Sequence, residues 1–269
     1  MKQALFQKMI KKVKYEVAPE FRELESWISQ LPSEFSSSGK TIFKLRNEVK
    51  VFNVGNYHLN VKAFKIPNLI NRFVYVYLRG SKAERSYTYA RKFLILGIPT
   101  PSAVGYVRCT KNGLLTKSYY ISLHLNYNFT LRQVLDSHVE LREEVLRQWV
   151  KFTYEKLHTN GIFHLDYSPG NTLITKTNGQ YQFSVVDLNR MFFGPVSYEK
   201  GLSNFCRLNV DTPTLGLIGR EYALLRNENP ELAAKMIVEI NCKGGAQVEK
   251  RELMKSILKQ IFRSDRAGK

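Results

Sequence analysis

The stretch "GIFHLDYSPGNTLI", residues 161–174, restricts the fold more than any other part of the chain. His164 and Asp166 stand two apart, Asn171 follows the aspartate by five, and apolar residues flank all three. Downstream come a strand-like "NTLIT", a turn "KTNGQ" and a second strand "YQFSVVDL" that ends on Asp187. Lys62 sits in the apolar segment "LNVKAF". A lone charge inside apolar surroundings is costly, so such residues are paired or line a site. The fold must therefore carry a polar loop, a hairpin and a strand ending in a carboxylate.

The rest of the chain supplies two contrasting halves. Residues 3–14 and 19–31 have helical spacing, with Pro19 at an early helical position and Pro32 after a helix end. From Thr41 the pattern becomes strand-like, in short segments rich in Val, Phe and Tyr. "TIFKL", "VKVFNV", "YHLNVKAFK", "SAVGYVRC" and "LTKSYYISLHL" read as five strands, with "KNG" a turn between the last two. A helix over 81–96 interrupts them and stops at Gly97. After a seam near 124–129 the pattern is helical: "TLRQVLDS", then 139–158, then most of the chain from 198 onward. The expectation is an α+β, two-lobed fold. Residues 1–40 form a helical extension, 41–125 a small antiparallel five-stranded lobe with one main helix, and 126–269 a larger helical lobe.

The order Lys62, Asp166, Asn171, Asp187 matches what nucleotide-dependent phosphoryl transfer needs. A strand lysine can hold the α/β-phosphates. A loop aspartate can orient an acceptor hydroxyl and take its proton. An asparagine and an aspartate joined by a hairpin can hold magnesium against the phosphates. His164 reads as a support for the loop through hydrogen bonding. His58, His124, His138 and His158 show no metal-ligand spacing and read as structural.

At these residues the chain resembles the protein-kinase-like superfamily. More narrowly, it resembles the lipopolysaccharide kinase family, which phosphorylates Kdo or heptose sugars of the lipid A inner core. The narrower resemblance rests on "VKAFKIPNLINR", "RSYTYARKFLILGIPTPSAVGY", "HLDYSPGNTLI" and "VVDLNRMFFGP", and covers about residues 40–210. It implies ATP as donor and Mg²⁺ as cofactor. Lys62 becomes the phosphate-binding lysine, Asp166 the catalytic aspartate, and Asn171 and Asp187 the metal ligands. Residues near His124 to Asn128 become the hinge that receives adenine.

The chain departs from the kinase pattern in several places. "KLRNEVK" stands where a glycine-rich phosphate loop is expected, so Arg46 or Lys50 is left to supply charge. Ser168 replaces the lysine of protein kinases, Asp187-Leu188-Asn189 replaces Asp-Phe-Gly, and no Ala-Pro-Glu follows. These absences favour a small or lipid-linked acceptor. The glutamate that should pair with Lys62 is open between two readings. Glu84 is the only acid in 81–96, and it either reaches Lys62 or is a solvated surface residue. An atypical protein kinase and a catalytically silent nucleotide-binding scaffold are the alternatives.

Charge narrows the partners. The 41 Lys/Arg against 23 Asp/Glu give +18, an imbalance that suits a polyanionic partner. A lipopolysaccharide core glycolipid and an anionic membrane surface fit. The lysines of residues 1–14 would lie on such a membrane or stand in water, the helix packing on the small lobe. Nucleic acid rests on charge alone. The three cysteines, Cys109, Cys206 and Cys242, are odd in number and far apart, which argues against a disulfide framework or structural zinc site. The start lacks a signal-peptide core and "FLILGIP" is too short to span a bilayer. The protein is expected in the cytoplasm, with peripheral attachment at the cytoplasmic face of the inner membrane.

Overall fold

A computed structural model describes residues 11–136 and 141–242. Among these, one compact unit takes 11–128, 173–176 and 182–191, and a second takes 129–136, 141–172, 177–181 and 192–242.

The first unit is built on a six-stranded sheet of β1 (Lys11–Val17), β2 (Lys40–Lys44), β3 (Glu48–Val54), β4 (Tyr57–Ala63), β5 (Ala103–Lys111) and β6 (Leu114–Leu123). The spatial order is β1-β5-β6-β4-β3-β2, and every pair is antiparallel. β2 to β6 are the five strands expected from the sequence. β1 is a sixth, and it corrects the helix expected over 3–14, of which residues 3–10 lie outside the described residues. The sequence "KKVKYEV" satisfies both periods, and pairing with β5 along its whole length decides for the strand. Gly105 permits that pairing: a Cβ there would lie 2.5 Å from the Glu16 carbonyl oxygen. Gly105→Val should displace β1 and lower stability by about 2 kcal/mol, read as a lower urea midpoint.

α1 (Glu25–Glu34), entered through a 3₁₀ turn at Pro19–Leu24, covers one sheet face. Pro32 lies inside its last turn, not beyond its end as the spacing predicted. Trp27 and Phe35 pack their rings on Phe52, and Phe35 also meets Tyr119. Because strand residues alternate between faces, the cross-strand pairs Phe52–Leu59 and Lys50–Val61 share this side, while Val49, Lys62 and Tyr120 share the other. α2 (Leu69–Tyr77), which the sequence did not announce, and α3 (Lys82–Ile95) complete the unit's main helices. Asn-Gly turns with positive φ at both positions close two hairpins: Asn112-Gly113 between β5 and β6, and Asn178-Gly179 further on.

The second unit contains a short strand β7 (Phe129–Thr130), α4 (Leu131–Asp136) and α5 (Leu141–Phe152), which runs on into a π-helical turn at Thr153–His158. The start of the helix expected over 139–158 and the helices expected after 242 lie outside the described residues. Next come β8 (Ile162–His164) and a 3₁₀ turn at Pro169–Asn171. The chain then passes through the hairpin of β9 (Thr172–Thr177) and β10 (Gln180–Val185), and through β11 (Met191–Phe193), to α6 (Tyr198–Ser203), α7 (Thr212–Arg226) and a helix over 230–242. Its core is a ring cluster of Trp149, Tyr167, Phe205 and Tyr222, all buried. No helix among the described residues is long and apolar enough to cross a membrane.

Candidate active site

In the first unit, β4 carries Lys62 and the segment after β10 carries Asp187. Lys62 Nζ and Asp187 Oδ1 are 2.8 Å apart, each side chain largely shielded from solvent. The end of β10 is fixed by the loop after α3. The Val185 N–H donates to Pro99 O at 3.0 Å, and Thr100 Oγ1 donates to Val185 O at 2.7 Å. Asp187 itself has φ +60°, a left-handed conformation that aspartate tolerates better than most side chains. Such backbone strain collects where a side chain must be aimed.

The loop beyond Asp187 is pinned by Arg85, which sequence reasoning missed. From α3, Arg85 Nε donates to Asn189 O at 3.1 Å and Nη1 donates to Gly80 O at 2.8 Å. The Asn189 amide in turn donates to the Asp187 carboxylate. Arg85 is buried, and burial lowers its pKa, but a guanidinium stays charged at neutral pH. The sequence signal, an arginine one turn into a helix among aromatics, is too common to have marked it.

Two expectations about the phosphate side are corrected here. Glu84 does not pair with Lys62, nor is it a solvated residue. Its carboxylate accepts from Arg108 Nη1 at 3.0 Å, from Lys14 Nζ at 3.5 Å and from the Ser81 backbone at 2.7 Å. The Ser81 hydroxyl accepts the Glu84 N–H in return, a capping box at the start of α3. A glutamate three residues after the N-cap turns back on its own helix end, and Glu84 meets Lys14 and Arg108 there, not Lys62. Lys50 likewise lies on the α1 side of the sheet, opposite Lys62. Its ammonium donates to Phe35 O at 2.6 Å and Ser38 O at 3.0 Å. Arg46 remains, and with it Lys82. Burial lowers the Lys82 pKa, the charges of Arg46 and Arg190 lower it further, and Asp187 opposes them. Lys82 is thus close enough to feel Arg46, Arg190 and Asp187. At the expected hinge, the His124 N–H donates to His58 O and the Asn128 N–H to Ile174 O.

In the second unit, the loop after β8 presents Asp166 and Asn171. Asn171 Nδ2 donates to Asp166 O at 2.8 Å, which leaves its Oδ1 for another partner. His164 is buried, and its Nδ1 accepts the Asp166 N–H at 3.0 Å. The Asp166 carboxylate meets Arg207 Nη1 at 3.0 Å. Arg207 is a second residue that sequence reasoning missed. It lies 41 positions away, in the turn after the helix at Tyr198–Ser203, with no motif of its own.

Behind the loop, Asn204 Nδ2 donates to His164 O at 2.8 Å. Asn204 Oδ1 is thereby turned to His158 Nε2 at 3.0 Å, so Nε2 carries the imidazole proton and Nδ1 accepts from the Tyr222 hydroxyl at 2.9 Å. Burial lowers His158 to about 4. The unfolded value is near 6.5, so the unfolded chain binds the extra proton first. This contribution is complete above about pH 6.5 and is lost as pH falls toward the folded value. Chemical denaturation at pH 7 and pH 4 should show about 3 kcal/mol of loss in the wild type beyond that of His158→Gln.

No family model matches the chain, and no curated protein does. Among solved structures, WaaP in complex with acyl carrier protein is similar with a TM-score of 0.59 and 13% identity, over 88% of this chain and 98% of that one. The chain has a protein-kinase-like fold. Two further structures are similar over much of the kinase-like chain. The Rio2 kinase–ADP/Mg²⁺–phosphoaspartate complex from Chaetomium thermophilum has a TM-score of 0.49 and 12% identity, over 87% of this chain and 78% of that one. A thermostable mutant of aminoglycoside phosphotransferase APH(4)-Ia has 0.43 and 13%, over 81% and 99%.

Proposed function

We propose that this kinase-like protein transfers the γ-phosphate of ATP to a sugar hydroxyl of the lipopolysaccharide inner core, on Kdo or heptose, at the cytoplasmic face of the inner membrane. The observation that carries the reading is the Lys62–Asp187 pair at 2.8 Å, held on a kinase-like fold by a strained Asp187 backbone. Strained backbone positions cluster at active sites, and a carboxylate beside a strand lysine is what phosphoryl transfer uses to hold a phosphate-bound ion. The acceptor class follows from the resemblance of the sequence to lipopolysaccharide kinases and from the missing Ala-Pro-Glu segment.

In this reading Lys62 leaves Asp187 for the α/β-phosphates when nucleotide enters. Lys82 and Arg46 add positive charge there in place of backbone amides. Asp166 orients the acceptor hydroxyl and takes its proton as the oxygen bonds to the γ-phosphorus. The bond from that phosphorus to the β–γ bridging oxygen breaks, and ADP leaves with the electron pair. Arg207 holds Asp166 before the acceptor arrives and offers the cation that Ser168 cannot. Asn171 Oδ1 and the Asp187 carboxylate are hard oxygen donors of the type Mg²⁺ takes. No group of three or more His, Cys, Asp or Glu among the described residues could hold a metal. Bound Mg²⁺ would neutralise charge on the transferred group.

Nucleotide protection tests the donor half directly. Saturating Mg²⁺·ATP should raise the wild-type melting temperature, with less effect when Mg²⁺ is chelated. Lys62→Met and Asp187→Asn should each lose most of that rise. A chain whose melting ignores Mg²⁺·ATP, or whose variants are protected as well as wild type, would contradict the assignment.

A further inference from the structure

α2 is out of place for a helix of a folded unit, because none of its residues is buried. Leu69 is 65% exposed, Ile70 76%, Phe73 51% and Tyr77 58%. At about 100° per residue these four fall within an arc about 100° wide, so they form one outward face. The opposite side is what attaches the helix to the first unit. Arg72 Nε donates to Leu115 O at 2.7 Å, Arg108 Nη1 reaches Val76 O at 3.4 Å, and Arg85 lies over the Tyr75 ring. The helix is therefore fixed with its large apolar side chains directed into solvent.

The charge around it has one sign. Between Glu48 and Glu84 the sequence holds no acidic residue and six Lys or Arg. Lys65, before the helix, and Arg79, after it, are exposed. We propose that α2 is a membrane-contact helix, lying in the headgroup region of a bilayer rich in anionic lipid. Its Leu, Ile, Phe and Tyr side chains enter the acyl boundary, and Lys65 and Arg79 meet lipid phosphates.

Two features favour a lipid surface over a protein partner. Apart from the Tyr77 hydroxyl, the outward face offers no side-chain hydrogen-bonding group. Protein interfaces carry about one hydrogen bond per 100–200 Å², and a bilayer interior asks for none. An apolar face with cations at its ends is also the pattern of helices that lie in the interface. The inference does not depend on phosphotransfer, since it rests only on the first unit's surface.

Co-sedimentation of the full chain with vesicles tests it. Wild type should bind vesicles containing phosphatidylglycerol, bind phosphatidylcholine vesicles far less, and release as salt is raised. The pair Ile70→Ser with Phe73→Ser, and separately Lys65→Glu with Arg79→Glu, should each weaken binding more than about tenfold, with melting temperature unchanged. Absence of wild-type binding would overturn the proposal, as would variants that bind as wild type does. Equal binding to neutral vesicles would overturn the anionic assignment. A concentration-dependent dimer abolished by the serine pair, with no vesicle binding, would assign the face to a second copy instead.

Discussion

Asp166→Ala should lower phosphoryl turnover by about a thousandfold while leaving Mg²⁺·ATP protection of the fold intact. The magnitude is what one positioned proton acceptor contributes, in the range of about 10² to 10⁴. The separation is the informative part. Lys62 and Asp187 form their pair in the first unit, while Asp166 belongs to the second. Removing the Asp166 carboxylate also frees Arg207 from its 3.0 Å contact, so no buried charge is orphaned: Arg207 is more than half exposed. Melting temperature should therefore stay within a few degrees of wild type. A fall in turnover accompanied by unfolding would indicate a structural role, and a fall of only a few-fold would remove Asp166 from the chemistry.

The largest stability effect should come from Trp149→Ala, about 4 kcal/mol. Trp149 is 1% exposed and packs on the Tyr167 and Phe205 rings. Its Nε1 donates to the Tyr167 hydroxyl at 3.1 Å and to Thr172 Oγ1 at 3.3 Å. Truncation leaves a cavity and removes that donor from a hydroxyl that burial already holds at about 12. Tyr167 still meets Thr153 Oγ1 at 3.0 Å, which keeps the loss below the sum of the two effects. Trp149→Phe keeps most of the ring and loses the donor, so about 2 kcal/mol is expected. Urea midpoints at constant slope would check both values. Tyr167 is covalently next to Asp166, so the phenylalanine variant should also lose turnover, through loop position and not through chemistry.

How much of this was legible depends on where each residue's constraint lies. Lys62, Asp166, Asn171 and Asp187 stand out as candidates because phosphoryl transfer uses those side-chain types in that order and strand and hairpin patterns surround them; the structure pairs Lys62 with Asp187 and ties Asn171 to the Asp166 carbonyl. The five strands β2 to β6 could be read because they are short runs rich in Val, Phe and Tyr, and Asn-Gly marks a turn. β1 could not, since "KKVKYEV" fits both periods and its pairing with β5 lies almost a hundred residues away in sequence. α2 was hidden by its composition: "LINRFVYVY" is rich in β-branched and aromatic residues, which carry strand propensity. Glu84 misled because a capping box and a phosphate-site glutamate look alike in a sequence. Only the structure shows its carboxylate turned to Ser81 and Arg108. Arg85, Arg207 and the His158–Asn204 pair act across 104, 41 and 46 positions, distances over which no local pattern survives.

The measurement that bears most directly on the central claim is label transfer from γ-labelled ATP. The purified 269-residue chain with Mg²⁺ would be offered Kdo–lipid A, heptose-containing core and a mixed protein extract in parallel, each beside an Asp166→Ala control. The account predicts label on one of the two glycolipids, absent from the control. Label on protein alone would replace the sugar acceptor with a protein one. No label on any acceptor, from a protein that Mg²⁺·ATP protects against melting, would contradict phosphotransfer and leave a nucleotide-binding scaffold.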